Sequence, residues 1–284
     1  MKRPKPYAGR VASLGTKHGK ERAVERPFRL ALGLNVIVPA DLDTDLLGTF
    51  SGEISRSGTA LEVCERKARL AMASAGLPLG IANEGSFGPH PYVPIIPAGL
   101  EVMTFIDDER GLVVTESFFA EKTNYDQHEA DDVAGIEEWL HAVHFPSHAL
   151  IVRPKSGGRI QGMTKGIVTR DALAKAIRLA AVNSTDGAAV VETDMRAHMN
   201  PTRMASIRKL AFRLVRRLAT PCPSCSAPGW GQTGVIKGLP CEECETPTGQ
   251  VLSLVFSCSA CGHREEKRRD ETAASAQFCP GCNP

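Results

Sequence analysis

Eight cysteines near the end of the chain fall into four Cys-x-x-Cys pairs: Cys222/Cys225, Cys241/Cys244, Cys258/Cys261 and Cys279/Cys282. Two thiolates three positions apart in a tight turn can face one tetrahedral ion, and four such sulfurs complete the shell of a structural zinc. Eight thiolates therefore predict two zinc ions. Segment 221–284 is too short and too poor in apolar residues to fold on a core of its own, so metal must supply the folding energy. Spacing leaves the pairing open. VLSLVFSC between the second and third pairs, with GHREEKRR after the third, reads as a zinc-ribbon hairpin. That favours Cys241/Cys244 with Cys258/Cys261, the outer pairs Cys222/Cys225 and Cys279/Cys282 closing a second site; interleaving is the alternative. Four protein ligands leave no open position, which marks the zinc as structural rather than catalytic. The ninth cysteine, Cys64, stands among apolar residues of an expected helix and reads as core.

A second set of polar residues lies at the ends of expected strands. Glu84 closes LGIANEG, a buried-type run where a carboxylate is costly without a partner. ETDMRAHMNPTR gathers Asp194, Arg196, His198 and Arg203, with Asn200 explained as a helix cap. Arg196 and Arg203 are candidate phosphate ligands and Asp194 a candidate metal ligand; a local ion-paired turn accounts for the cluster equally well. Ser86 and His90, in a Gly/Pro-rich loop, are candidates for substrate contact. His141, His144 and His148 form no metal-ligand pattern.

The elements that must hold these residues alternate in type. Residues 8–14 and 35–40 read as strands, joined by GKERAVERPFRLALG, which has helical spacing interrupted by Pro27. A polar loop over 41–57 leads to a helix over 59–76. LPLGIANEG is a strand, and EVMTFID with GLVVTESFFA a hairpin. Residues 129–143 read as a helix, SHALIVRP as a strand, TRDALAKAIRLAAV as a helix, AAVVET as a strand and NPTRMASIRKLAFRLVRRL as a last helix. Such alternation predicts an α/β fold, a mixed but mostly parallel sheet with flanking helices, over 1–220. Composition changes at Thr220-Pro221, which places the zinc-ribbon-like module at 221–284. The 284 residues suit one sizeable domain with a small appendage, and the formal charge of +2 excludes a strong global field. No apolar run approaches the length of a membrane span, and no signal-peptide core follows the basic start. The expectation is a cytoplasmic protein with no membrane partner, in a compartment that argues against disulfides.

Four segments carry a resemblance: SLGTKHGKE, GTFSGEISRSGT, ERKARLA and LGIANEGSFG. Together, over roughly residues 10–90, they resemble the inosine triphosphate pyrophosphatase superfamily, whose members hydrolyse non-standard nucleoside triphosphates to monophosphates. The chain as a whole resembles a bacterial family joining such a domain to a cysteine tail, through TKHGKE, NEGSFGPHP and ETDMRAHMNPTRM. The resemblance implies Lys20, Glu53 and Glu84 as catalytic residues, and Thr16, His18 and Lys67 as substrate-binding ones, beside the candidates Ser86, Arg196 and Arg203 read from the residues themselves. It implies magnesium on Glu53 and Glu84, because such hydrolysis needs cations on the phosphates, a divalent ion and a positioned water; Asp194, from the strand-end cluster, is the candidate further ligand. The chain departs from the pattern in four respects. Lys20 comes one residue early, His18 stands where an Asn is usual, Asn83-Glu84 replaces a pair of aspartates, and the base-reading Ser-His-Arg is absent.

Partner chemistry follows from charge. Segment 221–284 has five Lys and Arg against seven Asp and Glu, and each tetrathiolate zinc adds roughly two negative charges. That disfavours phosphate gripping by the tail. The last main-domain helix has a basic face of Lys209, Arg213, Arg216 and Arg217. Three readings follow: a magnesium-dependent nucleotide hydrolase, a non-catalytic nucleotide or metabolite binder, and an RNA-associated protein, the last being less favoured.

Overall fold

The structure, a computed structural model, describes residues 5–42, 58–90, 93, 95–120, 122–156 and 162–284. Its first sheet is built from β1 (Val11–Gly15), β2 (Asn35–Ile37), β3 (Leu79–Pro89), β4 (Pro97–Asp107) and β5 (Leu112–Ala120), in the order β2-β1-β3-β4-β5. Its two parallel pairings are the ones β1 makes with β2 and β3. The reason is the connections. Helix α1 (Glu21–Leu32) carries the chain from β1 to β2 and α2 (Ala60–Ala75) precedes β3, whereas β3, β4 and β5 follow one another through short links that permit only antiparallel pairing. Thr59 starts α2 with a full capping box, its hydroxyl accepting from Glu62 N while the Glu62 carboxylate accepts from Thr59 N. Pro27 lies inside α1, with its ring buried.

Strand alternation divides the core between two faces. Ile81, Met103 and Phe105 pack with α1 and with α5 (Pro201–Leu218). Ala82, Val102 and Ile106 pack with Cys64, Ala68 and Met72 of α2. Cys64 is core, as its surroundings predict.

A second sheet corrects two expectations. Strands β6 (Gln127–Ala130), β7 (Leu150–Pro154), β8 (Thr164–Ile167) and β9 (Ala189–Thr193) run β6-β9-β7-β8, every pairing antiparallel. Helices α3 (Glu137–Ala142) and α4 (Arg170–Val182) complete this part, whose core of Leu140, Leu150, Val152, Leu173, Ile177 and Val191 is separate from the first. The described part of residues 1–220 thus holds two sheets, and neither is mostly parallel. The helix expected from residue 129 begins instead as β6, because His128 and Glu129 are drawn into pairing with the edge of β9.

The last sheet is small and antiparallel: β10 (Gly231–Lys237), β11 (Val251–Ser257) and β12 (Arg264–Arg268). Arg217 ties it to the rest. Its Nε donates to Gly229 O at 3.0 Å and its Nη1 to Thr115 O and Glu116 Oε1, both at 3.0 Å. Among the described residues no helix is long and apolar enough to cross a membrane.

Candidate functional site

The eight cysteines converge as two groups of four. Cys222, Cys225, Cys258 and Cys261 form one; Cys241, Cys244, Cys279 and Cys282 form the other. Sulfur separations of 3.9 Å (Cys222–Cys261), 3.7 Å (Cys225–Cys258), 3.9 Å (Cys241–Cys282) and 3.5 Å (Cys244–Cys279) match the roughly 3.8 Å edge of a tetrahedron with zinc–sulfur bonds of about 2.3 Å. Each group therefore has the geometry to hold one zinc ion. The backbone supports this. In all four turns the amide four residues after the first cysteine donates to that cysteine's carbonyl, at 2.9–3.1 Å. Ser226, Glu245 and Gly262, each just after the second cysteine of its pair, have positive φ. Glu243 N and Gly281 N donate to Cys241 Sγ (3.5 Å) and Cys279 Sγ (3.4 Å), the outer hydrogen bonds expected around metal-bound thiolates.

This grouping is interleaved and overturns the nested pairing favoured by the zinc-ribbon hairpin reading. The cause is strand count. Each strand carries the chain from one end of the sheet to the other, and one strand separates each cysteine pair from the next. First and third pairs share one end; second and fourth share the other. Only β11 lies between the second and third pairs. Its seven residues hold those pairs roughly 23 Å apart at about 3.3 Å per residue. The overlooked element was β10, GQTGVIK, whose two glycines and mostly exposed side chains conceal a strand.

A second site forms where β1 ends. Register between β1 and β3 stops at Gly15↔Ala82, and β3 continues alone on that side through Asn83 and Glu84. The Lys20 side chain reaches in from the start of α1 and its Nζ donates to Asn83 O at 2.6 Å. On the α2 face, Lys67 Nζ meets Glu84 Oε2 at 2.7 Å. On the α5 face, Arg203 Nε donates to Glu101 Oε1 at 2.8 Å, Asn83 Nδ2 to Glu101 Oε2 at 2.9 Å, and Arg203 Nη1 to Met195 O. All five charged side chains are buried. Burial, then the neighbouring Arg203, pushes the Lys20 amine down to about 8. Asn83 Oδ1, also buried, finds no donor among the described residues.

The packing is close. A Cβ on Gly85 would stand 2.5 Å from Arg203 Nη2 and 2.9 Å from Glu101 Oε1; one on Gly15 would stand 2.5 Å from Lys67 O. The turn between β1 and α1 is fastened by His18 N donating to Thr16 Oγ1 (3.2 Å) and by stacking of the His18 and His198 rings, centroids 5.2 Å apart. Thr16 is buried and Ser86 exposed.

Lys20, Lys67, Glu84 and Arg203, distant in sequence, are thus brought together. Arg196 is not part of that cluster. Its Nε and Nη2 hold both carboxylate oxygens of buried Asp194 at 2.6–3.1 Å, which is the ion-paired turn. The magnesium set is not assembled among the described residues. Glu53 lies outside them, Glu84 is held by Lys67, and Asp194 by Arg196. His148 is a capping residue: its Nε2 accepts from Thr202 N at 3.2 Å in the first turn of α5.

With both sites described, comparison places the chain. The family model described as Domain of unknown function (DUF6671) matches residues 67–284, over half the chain. The chain belongs to the DUF6671 family. No curated protein matches it. The DUF6671 match takes in Lys67, Glu84, Arg203 and all eight zinc-site cysteines. It also takes in Glu101, a member of the charged cluster that sequence reasoning passed over. Glu101 stands first in EVMTFID, where a strand end was expected. In fact β4 starts at Pro97, so Glu101 is mid-strand and fully buried.

Proposed function

We propose that this chain binds a phosphorylated small molecule, a nucleoside triphosphate or a related metabolite, at the end of β1. One observation carries the reading: three buried cations, Lys20, Lys67 and Arg203, share a cluster with two buried carboxylates, Glu84 and Glu101. A buried surplus of positive charge is costly unless an anion completes it. The amides at the start of α1 add a partial positive charge on the same side. Thr16 and His18, in the turn after β1, and Ser86, on β3, would serve as further donors. The two zinc ions are structural, because four thiolates close each coordination shell.

Thermal denaturation of zinc-loaded protein with a panel of nucleoside triphosphates, pyrophosphate and phosphate tests this. A ligand bound by the native state alone raises the midpoint in proportion to the logarithm of its concentration. Lys20→Met should abolish the rise. A midpoint that no phosphorylated compound shifts would sink the proposal.

Hydrolysis is the second reading, favoured by Glu84 lying beside Lys20 in the cluster, where its carboxylate could orient a water. It predicts release of pyrophosphate or phosphate, lost in Glu84→Gln. Saturable binding without turnover leaves the chain a binder.

A further inference from the structure

The zinc ribbon and the main body meet along two sheet margins. β5 is the outer strand of the five-stranded sheet and β10 the outer strand of the ribbon. Between them, with α5 alongside, lies a cavity of about 770 Å³, inside the range of roughly 300–1,000 Å³ usual for ligand sites. Arg217 is spent on its floor, held by Gly229, Thr115 and Glu116. Arg213 and Arg216 line the cavity and are exposed. Trp230 and Phe256 also line it, with ring planes 29° apart and centroids 6.3 Å apart; His263 backs Trp230 at 5.3 Å and 26°.

Charge runs on from there. Helix α5 has six Lys and Arg and no acidic residue. Arg213 and Arg216 also border a second groove, of about 790 Å³, with Arg208, Lys209 and half-exposed Phe212. Of the tail's acids Glu265 comes nearest: it stands across from Phe256, and its carboxylate is held by His263 Nε2 at 3.0 Å. Glu266 is on β12, Asp270 and Glu271 follow that strand, and Glu242, Glu243 and Glu245 are in the second cysteine turn. Glu116, which lines the cavity, is neutralised by Arg217.

We propose that this cleft binds single-stranded nucleic acid, with phosphates along Arg208, Arg213 and Arg216 and bases against Trp230 and Phe256. Arginines with partly exposed aromatic rings suit a chain of phosphates bearing open base faces. A duplex offers the phosphates but keeps its base faces stacked. An extended peptide added to β5 would need Thr115 O, which Arg217 already occupies.

The test uses full-length, zinc-loaded protein in a Trp139→Phe background, which leaves Trp230 as the remaining tryptophan. Labelled oligo(U) and oligo(dT) of about twelve nucleotides, a hairpin duplex and an acidic peptide are titrated by anisotropy and tryptophan emission. The proposal expects saturable single-strand binding with quenching of Trp230, the U and dT arms telling RNA from DNA. Exposed Arg213→Glu with Arg216→Glu should weaken it by more than roughly tenfold and flatten the salt dependence. Trp230→Ala should weaken it roughly 5- to 150-fold, the range of one base–aromatic stack. If Trp230→Ala loses zinc, Phe256→Ala replaces it. No binding at low salt, tighter binding of the duplex or peptide, or affinity indifferent to the arginine pair would each overturn it.

Discussion

The Lys20 ammonium donates a 2.6 Å hydrogen bond to the main-chain carbonyl of Asn83, the first residue of β3 beyond the reach of β1. A lysine thus takes the ladder position that a further residue of β1 would have filled. Burial pushes its amine down to about 8 from an ordinary 10.5. The folded chain therefore sheds this proton first. Between about pH 8 and 10.5 the unfolded chain holds more protons, so this group makes stability rise with pH across that window. Urea denaturation of wild type and Lys20→Met should show the wild type gaining on the variant from pH 8 upward. Affinity for a phosphorylated ligand should move the other way, falling as pH passes about 8, since the neutral amine no longer attracts an anion. A gain in affinity above that pH would contradict the assignment of Lys20 to the anion.

Lys67 and Glu84 form a pair with side chains 9% and 1% exposed. Removing one member leaves the other charged and buried, which typically costs about 3–5 kcal/mol. Glu84→Gln and Lys67→Met should each destabilise by that order in chemical denaturation. The double variant should cost much less than their sum, because a buried pair contributes little net energy. Additive single effects would mean that the two groups do not depend on each other.

Legibility differed by residue. The zinc ligands were readable because each pair lies within four positions of the chain, and its chemistry needs nothing distant. Their grouping was not, because it depends on how many strands intervene, and β10 was missed. Lys20, Glu84 and Arg203 stood out as polar residues at element ends, and Lys67, in the middle of α2, through the resemblance of its helix. Glu101 did not, for the residue that explains it, Arg203, is 102 positions away. The first sheet's helices and hairpin were readable from their period. The antiparallel run β3-β4-β5 follows from links too short for crossovers, and β6 from pairing that overrides local helical spacing.

Gly85 is a position where space, not backbone angle, dictates the residue. A methyl there would meet the Arg203 guanidinium at 2.5 Å and both Glu101 oxygens at 2.9–3.0 Å. Those groups are buried and hold each other, so they cannot swing aside cheaply. Gly85→Ala should destabilise by about 1–3 kcal/mol, as overpacking does, and weaken ligand binding by displacing Arg203. Gly88→Ala, on the same strand with nothing within 4 Å of its Cβ, is the control and should leave ligand affinity unchanged.

The interleaved zinc sites give a count that separates the two pairings. Wild type should bind two zinc ions per chain, since two groups of four sulfurs converge. Cys222→Ser with Cys258→Ser removes two ligands from one site and leaves the other whole, so metal analysis should find one ion. Cys222→Ser with Cys241→Ser damages both sites and should lower retention of both ions. Nested pairing changes the first result: Cys222→Ser with Cys258→Ser would strike two sites there, as Cys222→Ser with Cys241→Ser does under either pairing, so neither variant would keep an intact centre. A second comparison closes the case. Cys222→Ser with Cys279→Ser would spare one site if the pairs were nested, and strikes both in the arrangement described. One ion retained in that variant would refute the strand-count explanation, because Cys222 and Cys279 lie at opposite ends of the ribbon.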